Sequence, residues 1–566
     1  MAETRPTPRW LPLLTVAAFL IGTGLMLGGP ARVIHLARGV VHAEPSFREL
    51  PAAAAWSLMR MTASYALSLL VAWIAGYWAA TNERAARVIL PLLDVGQSVP
   101  VLGFFPAAIY VFVTLLGGGR VSLELAAIFL IFTSQTWNLA FGVYEGLTTI
   151  PAETRAAVDS LGVRGVLRLR TLLAPACVPT LLYNSILSWA NGWYFLIACE
   201  IIAAGPVHYD LPGLGSMLSR AIASGDLKLA AGALATLIAI VLALELLVWQ
   251  PLRTWSRRYR YDTQSVEESD ALPRLPSLGI PALVRPLRAV ARALWSRVPV
   301  AAVNRGLESA AARGLRLWGA LRWPLGIAGA ALALVALGAT VRVLLPPWPA
   351  DLARLPLALL LSFLRITAAY ALALLWIVPV ALWASDHARG ARWLSLVAQV
   401  GASIPATGFF PVLVALLVNR FGGMEIISIA LALTGMQWYL LFNLLAGVQR
   451  VPNDLRESLR SLGLSRSEIH RQLVIPACMP SLVTGSVVAW GGTWNALILS
   501  EYVVYRERVY EVTGVGALLN RATFGTGSRS MLFFSLAALV ITVVAFNRLV
   551  WDRLYRFVQA RYRLEG

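Results

Sequence analysis

Lysine is almost absent from this chain of 566 residues, in which Lys228 is the single example. The scarcity bears on energy supply, because a phosphate-binding P-loop requires the pattern G-x-x-x-x-G-K-[ST]. Lys228 lies in the run Gly225-Asp226-Leu227-Lys228-Leu229, which does not have that pattern. The sequence therefore excludes a P-loop ATP site in this chain, and it predicts no catalytic residue and no cofactor held by the chain itself.

Cysteine is also scarce, with Cys177, Cys199 and Cys478 as the three examples. Their number and spacing give neither a disulfide framework nor a set of metal ligands, so no metal site is predicted. Cys177 and Cys478 occupy equivalent positions of an internal repeat, close to prolines. We interpret them as small apolar residues that pack locally.

Charged residues make up only 14% of the chain, and 58% of its residues are hydrophobic. Soluble globular proteins carry about 25% charged residues, and a helix that crosses a bilayer needs roughly 20 apolar residues. About a dozen apolar runs of this kind predict an all-α membrane protein with about 12 transmembrane helices. A β-barrel is excluded, because it would show alternating segments of about 10 residues.

The net charge of +19 is almost wholly arginine, and it lies in the loops between the apolar runs. That placement is typical of the cytoplasmic loops of a membrane protein, and it argues against a nucleic-acid-binding surface. Arginine density near the ends of the runs favours a multi-pass protein with both termini in the cytoplasm. No nucleic-acid partner is predicted.

Two arginine-rich islands, residues 150–184 and 451–485, interrupt the apolar runs and match each other at an offset of 301 residues. The matched positions include Pro151 and Pro452, Arg155 and Arg456, Gly162 and Gly463, and Pro175 and Pro476. The flanking runs repeat as well, so that Ser57-x-x-Arg60 recurs as Ser362-x-x-Arg365 at an offset of 305. Six plus six spans in parallel duplication imply a pseudo-two-fold axis along the membrane normal, with a pathway between the halves.

The repeats divide the chain into two transmembrane domains joined by a linker. We place an N-terminal transmembrane helix and outer loop at 1–50, the first transmembrane domain at 51–251, a cytoplasmic linker at 252–324, a transmembrane helix and outer loop at 325–355, and the second transmembrane domain at 356–566. The predicted spans lie near 11–29, 56–80, 98–116, 123–146, 180–204 and 227–250, and near 325–345, 361–384, 403–418, 424–447, 481–504 and 530–550. Polar connections are expected at Thr81–Arg87 and Gly205–Asp226.

Each island has residues that are typical of the start and the end of a short helix. Its first proline suits the first turn of a helix, where a missing N–H has no partner to lose. Gly162 and Gly463 follow about ten residues later, where a glycine in the left-handed conformation ends a helix. We predict a short helix across the membrane face, a sharp bend, and a second helical segment that ends at Pro175 or Pro476. Such a helix can dock into a groove on a partner; a merely basic loop is the alternative.

The island resembles the EAA loop of ABC importer permeases, whose consensus is E-A-A-x3-G-x9-I-x-L-P. The fixed glycine and the proline match in both copies, but the acidic residue is present only in the second, as Glu457, where the first has Ala156. In the family this loop seats on the nucleotide-binding subunit, and the departure predicts that the two copies are not equivalent. The positions that the resemblance assigns to ATPase coupling are Ala156, Gly162, Pro175, Glu457, Gly463 and Pro476.

The spans that flank the islands resemble those of a particular group of ABC importer permeases. An S-x-x-R-x-x-x-x-Y opening, an S-[VI]-P…FFP segment, and W-x-x-x-W followed by an acidic residue and a G-L-G-like turn are similar to permeases for nitrate, sulfonates and taurine. The resemblance implies a type I ABC importer fold in a bacterial inner membrane. Its implied partners are membrane lipid, a periplasmic or lipid-anchored substrate-binding protein, and two copies of an ATPase subunit that binds ATP and Mg²⁺.

Four ionisable residues within the spans are candidates for function, because charges are costly in a membrane. Arg60 and Arg365 lie near the outer ends of equivalent spans, and Glu200 and Glu501 lie near the outer ends of another equivalent pair. One hypothesis is that the arginines form a positive vestibule that draws in an anion. The alternative is that each arginine pairs with its glutamate and stabilises the mouth.

Tryptophans and amides within the spans are candidates to line the pathway, because neutral donors suit an oxyanion that must bind and then leave. Interfacial anchoring and helix packing are the alternatives for each tryptophan. These candidates are Gln135, Trp137, Asn138, Trp189, Asn191, Trp193, Gln437, Trp438, Trp490, Trp494 and Asn495.

Other functions remain open on the sequence. A fused permease for iron or thiamine shares the duplication into twelve spans. An ion-coupled secondary transporter is expected to have acidic proton or sodium sites in mid-span, and a scaffold or sensor leaves the paired islands unexplained.

Overall fold

The computed structural model describes most of both predicted transmembrane domains. The described ranges are 46–98, 120–201, 211–259, 340–417, 423–449, 451–505, 508–522 and 528–562, with isolated residues between them. The predicted N-terminal span at 11–29 and almost all of the predicted linker lie outside the described residues. The predicted span near 98–116 includes only scattered described positions, and the span near 325–345 is described continuously only from residue 340.

The first half is helical in its described ranges, apart from short connections. Its helices are α1 (Leu50–Thr81), α2 (Glu83–Ser98), α3 (Arg120–Thr148), α4 (Ala152–Ser160), α5 (Ala174–Ile201), α6 (Leu214–Ser224) and α7 (Leu227–Leu244). Single 3₁₀ turns lie before α1 at Phe47–Glu49 and near the end of the half at Arg257–Tyr259. A helical turn at Gly165–Arg168 and a π turn at Leu169–Leu173 lead into α5, and a π turn at Glu245–Trp249 joins α7 to Gln250–Ser256.

The second half repeats this order and adds a β-hairpin. Its elements are α8 (Leu355–Asp386), α9 (Ala388–Ser403), α10 (Ala406–Leu417), α11 (Met424–Gln449), α12 (Asn453–Ser461), α13 (Ile475–Ser500), β1 (Tyr502–Tyr505), β2 (Arg508–Glu511), α14 (Val515–Asn520) and α15 (Arg529–Phe546). A 3₁₀ turn at Ala350–Arg354 precedes α8, Arg466–Ile469 and a π turn at His470–Val474 lead into α13, and a π turn at Asn547–Trp551 joins α15 to Asp552–Arg561. In the antiparallel hairpin, Tyr502 lies opposite Glu511 and Tyr505 opposite Arg508.

Eight helices within the described part of the chain are long and apolar enough to cross a membrane. They fall four in each half, and each overlaps one of the spans predicted from the sequence. The predicted span near 403–418 is described as α10, which has 12 residues. The all-α architecture of two transmembrane domains is therefore confirmed.

Helix α1 packs against α3 through a stripe of small residues. Ser64 and Ser68 recur at helical spacing on its buried face, and their hydroxyls donate to the carbonyls of Ile128 (3.1 Å) and Phe132 (3.2 Å) on α3. Farther along, a Cβ on Gly76 would lie 2.8 Å from the carbonyl oxygen of Ala140. Small residues let membrane helices approach this closely, and their hydroxyls stabilise the contact with hydrogen bonds.

A glycine and an asparagine exchange places between the two halves. In the first half Gly142 on α3 faces Asn184 on α5, with 2.9 Å between the Cβ position of Gly142 and Asn184 Nδ2. In the second half Asn443 on α11 faces Gly485 on α13, with 2.8 Å between the Cβ position of Gly485 and Asn443 Cβ. Each asparagine also donates from Nδ2 to the carbonyl four residues earlier, at 2.9 and 2.8 Å. An asparagine side chain therefore fills the same gap in both halves, from α5 in the first half and from α11 in the second.

The two halves contact each other mainly through α5 and α6 of the first and α9 and α10 of the second. Thr407 at the start of α10 donates to the carbonyl of Tyr194 on α5 at 3.1 Å. Tyr439 on α11 donates through its hydroxyl to Asn191 Oδ1 at 3.2 Å. Hydroxyl and amide groups without net charge therefore join the halves at these two points.

Three expectations from the sequence are wrong. The connection predicted at Thr81–Arg87 is mostly helical, because Asn82 Oδ1 accepts from the N–H groups of Arg84 and Ala85 and caps α2. The polar loop predicted at Gly205–Asp226 contains α6. The helical segment after each bend does not end at Pro175 or Pro476, because a π turn carries it into α5 or α13 without a break.

We predict that Gly142→Asn destabilises the protein by about 1–3 kcal/mol, because the new side chain overpacks Asn184. The double variant Gly142→Asn/Asn184→Gly reproduces the second-half arrangement and is expected to recover most of the loss. Thermal unfolding of the single variants, the double variant and the parent in detergent gives the coupling free energy by a double-mutant cycle. Additive losses in the double variant would contradict the exchange.

Candidate functional site

The first island forms the predicted short helix and bend. Helix α4 begins after Pro151 and covers Ala152–Ser160. Gly162 then has φ +68°, the left-handed conformation that glycine tolerates best, and its N–H donates to the Asp159 carbonyl at 3.1 Å. The chain turns sharply here and enters the segment that leads into α5.

The second island has the same geometry. Helix α12 follows Pro452, and Gly463 ends it with φ +82°. The next segment starts with a capping box, in which Ser465 and Glu468 satisfy each other's backbone N–H groups. Helices α4 and α12 are therefore short, rigid and equivalent.

An arginine holds each island helix to the span before it. The Arg155 guanidinium donates to the carbonyl of Leu147, at the end of α3, at 2.5 Å. Arg456 donates likewise to Val448 at the end of α11 (3.0 Å) and also to the Ser385 carbonyl on α8. Burial lowers the pKa of Arg456 from its ordinary value, but an arginine stays charged in proteins. The arginines thus donate to carbonyls in the last turn of a helix, where intrahelical partners are lacking or few.

Each island also presents an exposed leucine at its bend. Leu161 is 78% exposed and Leu462 is 75% exposed. Glu457, with Asp454, Ser458 and Leu462, lines a shallow open surface on α12, and Ala156 is exposed at the equivalent place on α4. An apolar side chain beside polar groups on a rigid helix is typical of a protein-docking surface.

A buried charge cluster occupies the opposite end of the first half, which we call the far end. Arg60 on α1 has no exposed surface. Its guanidinium binds Glu124 on α3 through two contacts, at 2.5 and 2.8 Å, and Glu200 on α5 at 2.6 Å. Such bidentate pairing is the strongest and most directional of protein ion pairs. One arginine thereby connects three helices.

The same cluster holds the start of α6. Glu200 Oε2 accepts from the Gly215 N–H at 2.8 Å, and Ser57 Oγ accepts from the Leu214 N–H at 3.0 Å and donates to Glu200 Oε1 at 2.9 Å. A carboxylate at a helix N-terminus satisfies free N–H groups and complements the helix dipole. Gly213 must be glycine, because a Cβ there would lie 2.2 Å from Glu200 Oε1.

The far end of the second half repeats the cluster with two differences. Arg365 binds Glu501 at 2.8 Å and Glu425 at 2.6 and 2.8 Å, and Ser362 donates to Glu501 at 2.7 Å. Arg365 also donates to the Thr513 carbonyl at 3.0 Å. Glu425, however, is 55% exposed at its side chain, against 13% for its counterpart Glu124. The first cluster is therefore less exposed to solvent than the second.

These distances confirm that each arginine pairs with its glutamate, and they favour that interpretation over a positive vestibule. The sequence reasoning missed Glu124 and Glu425, although both are acidic and match at the 301 offset. It also left Ser57 and Ser362 as motif positions without a role. Two matched carboxylates beside two matched arginines were the available signal.

The tryptophan candidates take part in helix packing in this structure. Trp193 and Trp494 are buried, and Trp189 lies edge-on to Tyr65 with ring centroids 5.3 Å apart. Trp490 packs with Phe363, Tyr370, Phe546 and Trp551. Trp137 and Trp438 lie over equivalent glycines, Gly96 and Gly401.

The amide candidates are spread over several environments. Asn191 lies between the halves and accepts from Tyr439. Gln135 is fully buried against Gly192, and neither of its amide atoms has a hydrogen-bond partner within the described ranges. Gln437 is half-buried and Asn495 is buried. The structure therefore brings one of the predicted pathway residues, Asn191, to a polar contact between the halves.

Two long segments of the chain, residues 68–252 and 377–564, match the family described as binding-protein-dependent transport system inner membrane component. The chain belongs to this family. The two matches cover most of the two predicted transmembrane domains, so the protein is a duplicated permease of an ABC transporter. Its role is transport across a membrane.

Similar proteins include other ABC permeases. The permease is 25% identical over 203 residues to a putative ABC transporter permease protein of Methanocaldococcus jannaschii, covering 36% of this chain and 70% of the relative. It is 36% identical over 67 residues to a bicarbonate transport system permease protein of Synechococcus elongatus (12% and 24%), and 25% identical over 157 residues to a nitrate import permease protein of Leptolyngbya laminosa (28% and 52%). The permease thus aligns with only part of the relatives named for anions.

We predict that Arg60→Met destabilises the permease by about 3–5 kcal/mol, because it leaves Glu124 and Glu200 buried without their partner. Arg365→Met is expected to cost less, since the exposed Glu425 side chain can be solvated by water or headgroups. Arg87→Met, which removes an exposed pair with Glu83 at 3.7 Å, is a control expected within about 0.5 kcal/mol of the parent. Unfolding in detergent measures all three, and equal effects at Arg60 and Arg87 would refute the role of the cluster.

Proposed function

We propose that the permease imports a small anion such as nitrate, a sulfonate, taurine or bicarbonate across a bacterial inner membrane, driven by two separate ATPase subunits. The observation that carries the proposal is the pair of equivalent island helices, each held rigidly to the bundle and each exposing a leucine. Such a helix transmits the movement of a docked partner to the spans to which it is bound. A substrate-binding protein delivers the anion at the far end, and both chain termini lie in the cytoplasm.

The charge distribution supports an anion that passes through without being held. Each of the two span arginines is paired with two glutamates, so neither is available to trap an anion. The contacts between the halves are made instead by Thr407, Asn191 and the hydroxyl of Tyr439. Neutral donors bind an oxyanion weakly enough to release it. The relatives named for nitrate and bicarbonate support the same substrate class.

Uptake of labelled nitrate, bicarbonate, taurine and a sulfonate by cells that lack and regain the permease tests the substrate. We expect one of these anions to be taken up only when the permease is present and ATP is available. Uptake that persists without ATP would indicate an ion-coupled transporter. Uptake of iron or thiamine in place of an anion would refute the substrate class.

Gly463→Pro tests the coupling role of the islands. Proline fixes φ near −65° and cannot take the +82° of Gly463, so we expect roughly tenfold or greater loss of a co-purifying ATPase. Gly423→Pro is the matched control: Gly423 has φ +63° but precedes α11, at the end of that helix away from the island. Equal ATPase recovery from both variants would refute docking at the island.

The two islands are expected to differ in strength. Glu457→Ala removes a charge from the exposed face of α12, and we predict about threefold to tenfold weaker ATPase binding, an ordinary effect for an interface residue. Ala156→Ser, at the equivalent place on α4, is expected to change binding less than twofold. ATPase titration onto the purified permease measures both, and equal effects at the two positions would contradict the asymmetry.

A further inference from the structure

The second island is bound to α8 by polar contacts at the end of that helix. His470 Nε2 lies 3.2 Å from Ser385 Oγ and 3.2 Å from Asp386 Oδ2. Ser385 Oγ already donates to the Leu382 carbonyl, so it accepts from the histidine. Arg460 Nη2 on α12 lies 3.9 Å from Asp386 Oδ1. Together with the bond from Arg456 to the Ser385 carbonyl, three island side chains meet the last two residues of α8.

Of these five positions, only that of Arg456 has the same residue in the first half, where it is Arg155. Ser385 and Asp386 match Ala80 and Thr81 at the 305 offset, and Arg460 and His470 match Asp159 and Leu169 at the 301 offset. The matched groups turn elsewhere in the described structure. Thr81 Oγ1 donates to Tyr77 of its own helix at 2.8 Å, and Asp159 pairs with Arg168 inside the island at 3.1 Å. Ala80 meets the island region only through an apolar cluster that includes Val158 and Leu172.

Helix α8 also carries the far-end cluster of its half. Arg365 and Asp386 are 21 residues apart on one continuous helix, which is about 32 Å at 1.5 Å per residue. A displacement of α12 that moves Asp386 is therefore passed along α8 to Arg365, and from there to α11 and α13 through Glu425 and Glu501. The first half lacks the corresponding polar link between α4 and α1 within its described residues.

We propose that Asp386 and His470 are positioning residues that tie the second island to α8, so that this island transmits ATPase movement to its half more directly than the first. The proposal rests on the proposed function only in taking the islands as the ATPase-docking elements. The charged groups facing His470 are Asp386 on α8 and, around the same carboxylate, Arg456 and Arg460 on α12.

The geometry distinguishes a hydrogen-bonding histidine from one that only packs. His470 Nε2 lies within hydrogen-bond distance of Ser385 Oγ and Asp386 Oδ2. Leucine, the residue at the matched position 169 of the first island, would fill space here without making either contact.

Hydrogen–deuterium exchange of the full chain in detergent tests the tie without any ATPase. We expect Asp386→Asn to speed exchange in residues 453–461 about fivefold, with residues 152–160 of the same molecule as the unchanged reference. His470→Leu, which places the residue of the first island at this position, is expected to speed exchange in residues 453–461 as well. Thr81→Ala is expected to change neither segment.

Two outcomes would overturn the proposal at this stage. One is equal exchange of residues 453–461 in the parent and in Asp386→Asn. The other is equal exchange of residues 453–461 in the parent and in His470→Leu. Either result leaves the proposed function intact, because no ATPase or substrate enters the measurement.

The functional arm uses the permease together with its co-purified ATPase in proteoliposomes. We expect Asp386→Asn to retain the ATPase but to lower the anions imported per ATP hydrolysed about threefold, whereas Thr81→Ala leaves that ratio unchanged. An unchanged ratio in Asp386→Asn, despite faster exchange in 453–461, would overturn the role in coupling. Failure of the proposed function would look different, since no ATPase would then co-purify with the parent.

Discussion

An arginine buried among apolar helices must be fully paired, and this constraint organises the far end of each half. Arg60 satisfies it by joining α1 to α3 and α5, and Glu200 extends the same network to the first N–H groups of α6. Removing any member leaves a charge or a donor without a partner in a region that water reaches poorly. The geometry explains why glycine stands at position 213 and serine at 57, positions that would otherwise accept many small residues.

The far end and the island end of each half are consequently held together in different ways. The far end is a closed network in which one arginine fixes the relative positions of three helices. At the island end, an arginine holds a short helix to a carbonyl of the preceding span, and the second island is also bound to α8. The outer face of each island helix is exposed in the described structure. Between them, the halves share an apolar cluster and are joined by hydrogen bonds of neutral groups, such as that from Tyr439 to Asn191.

Much of this architecture could be predicted from the sequence, because apolar runs, matched prolines and matched glycines report local and periodic properties. The bends at Gly162 and Gly463 were of this kind. The pairing of Arg60 with Glu200 joins distant residues, and the sequence offered it only as one of two alternatives. Helix α6 was missed, because its start is stabilised by Ser57 and Glu200, which lie far away in the chain. The tie between Asp386 and His470 was missed for the same reason: 84 positions separate the two residues, and the first half offers no matching pair to draw attention to it.

The reciprocal glycine and asparagine of the paired spans constrain how a duplicated gene of this kind can change. Copying α3 over α11, or α5 over α13, would set glycine opposite glycine or asparagine opposite asparagine, leaving a void or a clash inside the bundle. Only an event that carries both helices of a pair together would keep the fit. Copying the sequence of a single helix from one half to the other is therefore destabilising. This helps to explain how two halves with the same fold keep different sequences.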